Sequence, residues 1–147
     1  MSETSEHPLE VYVVEDSPII QKLLASAVEA AGAKLDGCTG EAKTAIGDVF
    51  VLQPDLIFID IRLASGSGLD VLKALHEHNL APDAVKVVLT NFADDEYQRI
   101  CRRLGADQFF DKTFETSKAI ELIGTLAEER RHRDASAGSS VAGLPAA

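Results

Sequence analysis

No run of apolar residues in this chain is long enough to cross a bilayer; the longest are only a few residues. Residues 1–8, Met1 to Pro8, are polar and acidic and lack the apolar core of a secretory signal. These absences predict a cytoplasmic protein without membrane association. Cysteine is scarce: Cys38 and Cys101 have no metal-ligand spacing and read as reduced thiols rather than a disulfide. Positive charge is short as well. Fourteen Lys and Arg stand against 24 Asp and Glu, a net charge of −10, which argues against a surface built for a nucleic-acid backbone. There is no internal repeat, no second domain and no helix-turn-helix segment, so no DNA-binding domain is expected and the output must pass through proteins.

What is there is enough for one domain. The 147 residues are 46% hydrophobic and 26% charged, the balance of an ordinary globular fold. Short apolar strands alternate with amphipathic helices five times. Strands are predicted at Glu10–Val14, Lys34–Cys38, Asp55–Asp60, Val85–Thr90 and Gln108–Phe110. Helices are predicted from Pro18, with Ser17 as cap, to Gly32; from Glu41 to Leu52; from Leu69 to His78; from Asp94 to Leu104; and from Thr116 to about Glu129. The domain limits are 1–8 for a flexible N-terminus, 9–129 for the domain and 130–147 for a disordered tail of Ala, Ser and Gly. Arg130, Arg131 and Arg133 read as a solvated helix end. The alternation predicts an α/β fold, a parallel sheet with helices on both faces, and ligands beyond the carboxyl ends of its strands.

Those ends carry a pattern. Strand one ends in Glu15-Asp16, strand three in Asp60, strand four in Thr90, and Lys112 follows strand five. Each residue alone has an ordinary explanation as a cap, a β-former or a solvated charge. Together they bring three carboxylates, a hydroxyl and an ammonium to one sheet edge. Crowded carboxylates repel unless a cation joins them, and Mg²⁺, with Mn²⁺ as a substitute, suits such oxygen ligands. A carboxylate can be the nucleophile that forms an acyl phosphate, and phosphoryl transfer needs mainly positioning and charge neutralisation.

With these pieces in place, the chain resembles the receiver domains of two-component response regulators over about Leu9 to Ala127. The matching segments are Val11-Tyr12-Val13-Val14-Glu15-Asp16, Asp55-Leu56-Ile57-Phe58-Ile59-Asp60, Gly68-Leu69-Asp70-Val71-Leu72, Val87-Val88-Leu89-Thr90, Gly105-Ala106-Asp107 and Phe109-Phe110-Asp111-Lys112. The resemblance implies a flavodoxin-like, doubly wound five-stranded sheet of order 2-1-3-4-5. It implies Asp60 as phosphoacceptor, Asp16 and Asp60 as direct Mg²⁺ ligands and Glu15 acting through water. The backbone carbonyl of Arg62 would be a further ligand. Lys112 would be the phosphate-binding lysine, Thr90 the switch hydroxyl, and Phe109 the aromatic that turns inward behind it. It further implies a histidine kinase or histidine phosphotransfer protein as donor and a downstream protein target. A phosphorylation-dependent homodimer is left open.

Departures from the family pattern are local. Leu63-Ala64-Ser65-Gly66-Ser67-Gly68 lacks the usual proline and is predicted to be flexible. Thr113 stands where proline commonly follows the lysine, which leaves the Lys112–Thr113 bond cis or trans. Asn91 replaces a small residue. Arg62 and Phe92 flank the path of water to the phosphoryl group, and slow self-dephosphorylation is expected. Two other readings compete. A haloacid-dehalogenase-type phosphatase needs a second Asp two residues after the nucleophile, where this chain has Arg62. A pseudo-receiver that binds without phosphorylation commonly lacks an acidic residue or the lysine, and this chain has both.

Overall fold

The computed structural model describes residues 7–142. Ten elements alternate along it: β1 (Glu10–Val14), α1 (Pro18–Ala30), β2 (Lys34–Thr39), α2 (Ala42–Leu52), β3 (Leu56–Ile59), α3 (Gly68–Glu77), β4 (Val85–Thr90), α4 (Asp95–Arg103), β5 (Gln108–Asp111) and α5 (Lys112–Ala142). The strands form one sheet of order β2-β1-β3-β4-β5, every pair parallel. This is the doubly wound order expected.

The period of two along each strand sorts its side chains between two cores. Val11 and Val13 of β1 point the same way as Leu56, Phe58, Val87 and Leu89, and they pack with Leu24, Val28, Ala119 and Ile123 of α1 and α5. Tyr12, Val14, Ile57, Ile59 and Val88 face the opposite way, against Ala45, Val49, Val71, Leu72, Leu75 and Cys101 of α2, α3 and α4. Every residue of β3 is buried, because a central parallel strand is covered on both faces.

Helix starts follow local chemistry. Ser17 accepts from the Ile20 amide and Pro18 opens α1. Ser67 and Asp70 exchange side-chain and backbone bonds to start α3, and Asp94 accepts from the Tyr97 amide to start α4. The segment between β3 and α3, predicted to be flexible, is instead tied to the turn before α2. Ala64 donates to Gly40 O at 2.9 Å and Ala42 donates to Ser65 O at 2.9 Å.

Several boundaries differ from the sequence reading by a single residue, as at both ends of β3, and both ends of α5 differ by more. Helix α5 starts at Lys112 rather than Thr116. Thr113 N donates to the Asp111 carboxylate at 2.8 Å, and Glu115 accepts from Asp111 N at 2.9 Å, so strand passes into helix with no loop between. Among the described residues all peptide bonds are trans, Lys112–Thr113 included. At the other end α5 runs on to Ala142, well past the expected end near Glu129. Two of the arginines read as a solvated run, Arg130 and Arg131, are anchors. Arg130 pairs with Asp55 at 2.7 Å and donates to His7 O, and Arg131 donates to Ala31 O at 2.9 Å. Residues 143–147 of the expected tail and residues 1–6 lie outside the described residues.

Candidate phosphorylation site

The chain passes from β1 outward to β2 on one side and then crosses to β3 on the other side of β1, and this reversal opens a crevice at the carboxyl ends of the central strands. A cavity of about 230 Å³ lies there, lined by Glu15, Asp16, Ser17, Asp60, Arg62, Asn91, Phe92 and Lys112. A larger cleft of about 360 Å³ sits at the amino end of β4, around Lys86, and brings no such set of carboxylates together.

Each side chain is delivered by the strand before it. Asp60 N donates to Val14 O at 2.9 Å, which continues the β1–β3 ladder one residue beyond the strand and fixes the Asp60 backbone. Its carboxylate is 6% exposed and Glu15 is 2% exposed. Glu15 is oriented by the Ser17 amide at 3.0 Å, and its backbone carbonyl accepts from Gln21. The Lys112 ammonium bridges the two acids, 2.8 Å from Glu15 Oε1 and 2.8 Å from Asp60 Oδ2. Oxygen atoms of Glu15, Asp16 and Asp60 all lie within 4.8 Å of one another, with Asp16 the exposed member.

The electrostatics follow from this packing. Burial pushes the Glu15 carboxyl above its ordinary value, and the bonds from Lys112 and Ser17 offset only part of that. Burial would depress the Lys112 ammonium, but its bonds to Asp60 and Glu15 outweigh burial and hold it above its ordinary value. Three acids thus stand around one ammonium that bonds only two of them, a net excess of negative charge. Asp60 Oδ1 is buried and has no hydrogen-bond partner. An unpartnered buried carboxylate oxygen beside two further acids fits a cation with oxygen ligands.

The remaining expected residues fall around this centre. Thr90 is fully buried at the end of β4, and its hydroxyl accepts from the Phe92 amide at 3.3 Å. Asn91 is exposed and its side chain accepts from the Thr113 hydroxyl. Phe109 lies one strand away and is already buried, 8% exposed in the α2–α3–α4 core. The Arg62 guanidinium lies 4.5 Å from the centre of the Phe92 ring, and that ring meets Tyr97 edge-on at 6.3 Å. Such a stack on a partly exposed ring contributes about 0.5–1 kcal/mol.

Sequence reasoning missed one residue at the site. Gly68 opens α3 directly against Asp60: a Cβ there would sit 2.0 Å from the Asp60 backbone oxygen. Ser67 donates to Ile61 O and Gly68 N donates to the same carbonyl at 2.7 Å, so the helix start is clamped to the strand end. A glycine at a helix start carries no local sign of such an approach.

With this geometry established, the comparisons with known proteins agree. Residues 11–124 match the response regulator receiver domain family model, and the chain belongs to that family. The transcriptional regulatory protein PdtaR of Mycobacterium tuberculosis is 28% identical over 116 residues, which cover 79% of this chain and 55% of PdtaR. This chain thus spans about half the length of the curated relatives it matches first. The polar-differentiation response regulator DivK of Brucella anthropi is 29% identical, over 79% of this chain and 94% of DivK. Among solved structures, the receiver domain of a Pseudomonas aeruginosa sensor histidine kinase superposes with a TM-score of 0.68 at 18% identity. That match covers 79% of this chain and 94% of the other, and a magnesium ion is coordinated in that protein's active-site cleft. Among the described residues no helix is long and apolar enough to cross a membrane.

Proposed function

We propose that this chain is a response-regulator receiver, acting in the cytoplasm, that accepts a phosphoryl group on Asp60. The observation that carries the reading is the buried Asp60 carboxylate, one oxygen on Lys112 and the other without a partner, beside Glu15 and Asp16. In the reaction an Asp60 oxygen attacks the phosphorus of a phosphohistidine on a kinase or phosphotransfer protein. The P–N bond breaks, the histidine leaves with its electron pair and takes a proton, and an acyl phosphate remains. Lys112 neutralises the phosphoryl oxygens, and Thr90 gives up the Phe92 amide to donate its own hydroxyl to them. Asp16, Asp60 and the Arg62 carbonyl would hold Mg²⁺ or Mn²⁺, with Glu15 acting through water. The ion supplies charge neutralisation when bound. The protein is thus a signalling phosphoacceptor and not an enzyme acting on a separate substrate. The net charge of −10 supports a protein target rather than DNA.

The test is incubation with acetyl phosphate, with and without Mg²⁺, followed by mass spectrometry for one added phosphoryl group. Modification should need the ion. Asp16→Ala is expected to weaken Mg²⁺ binding tenfold or more, and Glu15→Ala severalfold less, because only the first loses a direct ligand. Equal metal affinities in the two variants contradict the assignment.

Arg62 and Phe92 both line the rim of the cleft and narrow the approach of water in line with the bond to Asp60. Neither orients a water for attack, so the phosphoryl group is expected to be long-lived. Loss of phosphate from Phe92→Ala should be several times faster than from the parent; equal rates place the control of lifetime elsewhere.

A further inference from the structure

The Arg62 side chain stands between two cavities. It lines the carboxylate cleft together with Phe92, and it lines a neighbouring pocket of about 230 Å³ together with Phe92, Leu63 and Tyr97. Among the described residues its guanidinium makes no ion pair and no hydrogen bond; its contact is the face of the Phe92 ring. Phe92 is in turn held from two sides. Its amide is bonded to Thr90 Oγ1, and its ring meets Tyr97, which sits in the first turn of α4. Helix α4 buries only Cys101 fully, and Arg99, Arg102 and Arg103 on it are exposed.

Resting on the receiver reading, we propose that the Arg62 side chain is a second phosphoryl-binding cation, and that its departure from Phe92 unlatches the first turn of α4. Charge decides the direction. The Lys112 ammonium is already shared between two carboxylates, and phosphorylation replaces one of them by a group of about −2 charge. A planar guanidinium with five donors matches phosphoryl oxygens far better than it matches a partly solvated ring. Arg62 has no carboxylate to give up when it moves. The same event takes the Thr90 hydroxyl away from the Phe92 amide. The Arg62 stack and the Thr90 bond on Phe92 are therefore released together, and the Phe92–Tyr97 pair repacks. Because Phe109 is already buried, this aromatic pair, rather than Phe109, carries the change to the surface. The surface altered is Tyr97 and the exposed arginines of α4.

The chain has two tyrosines, and Tyr12 is buried with its hydroxyl on Asp48, so ring-labelled tyrosine gives a reporter at Tyr97 and an internal reference. The probe is Mg²⁺ with beryllofluoride on the full chain, its binding read from the fluorine resonance of the bound ion. In the parent, the Tyr97 ring resonance should shift on binding and that of Tyr12 should stay. Arg62→Ala should bind beryllofluoride about tenfold more weakly. Its Tyr97 resonance should already be displaced before addition and move by less than a third of the parent's shift. Arg62→Lys, which keeps the charge but not the planar stack, should recover affinity without restoring the resting Tyr97 position. If Arg62→Ala binds as tightly as the parent and shows the full Tyr97 shift, the latch is refuted while the receiver reading stands. If the parent shows no bound fluorine resonance and no acyl phosphate, the receiver reading fails and the latch with it.

Discussion

Asp60→Asn is expected to abolish phosphorylation by acetyl phosphate and by any phosphohistidine donor, with a loss below detection, while the fold persists. The amide is the same size as the carboxylate, so the packing around a residue 6% exposed is kept. Its oxygen can still accept from Lys112, as Asp60 Oδ2 does at 2.8 Å. What is lost is the nucleophile, because an amide oxygen is a poor one and a phosphorylated amide is not a stable product. The substitution also removes one of three crowded negative charges, so the thermal midpoint should stay level or rise. Mass spectrometry after acetyl phosphate treatment and a thermal melt check both halves. An acyl phosphate formed as readily on the variant would move the nucleophile to another carboxylate, with Asp16 the next to examine.

The largest effect on stability is expected at Gly68. A Cβ there meets the Asp60 carbonyl oxygen at 2.0 Å, its carbon at 2.8 Å and the Ile59 side chain at 2.9 Å, and two of these three atoms are backbone that cannot rotate away. Either α3 must back off from β3 or the end of β3 must bend. Overpacking of this kind costs about 3 kcal/mol, a fall of roughly 10 °C in a domain of this size. Phosphorylation should fall with it, since the displaced backbone is that of the nucleophile. Gly47→Ala is the control. Gly47 is exposed within α2 and nothing lies within 4 Å of its added Cβ, so the same substitution should stabilise by about 1 kcal/mol through helix propensity. Thermal melts of the two variants decide it. A Gly68→Ala protein as stable as the parent would contradict the clamp between α3 and Asp60.

Much of the fold was legible because it is written in local terms. Strand periodicity and the Ser17-Pro18 start of α1 depend on neighbours within a few residues. Strand β4 matches its expected limits, whereas α5 does not. Arg130 and Arg131 are held by Asp55, His7 and Ala31, and partners so distant along the chain leave no mark in the local composition.

The site divides in the same way. Which residues stand at the strand ends is a property of the sequence, since Glu15, Asp16, Asp60, Thr90 and Lys112 each follow a recognisable strand. That Lys112 bridges Glu15 and Asp60, leaving Asp60 Oδ1 without a partner, was decided only when parallel pairing set β1 and β3 side by side and β5 turned directly into α5. The stack of Arg62 on Phe92 and the approach of Gly68 to Asp60 are likewise tertiary. The first joins residues beyond two different strands, and the second folds the β3–α3 connection back on the strand it leaves. Periodicity and capping act over one or two turns of chain, and so they specify elements and the order of residues along them. Packing distances between elements depend on all the side chains that fill the layers, and only the assembled structure determines those.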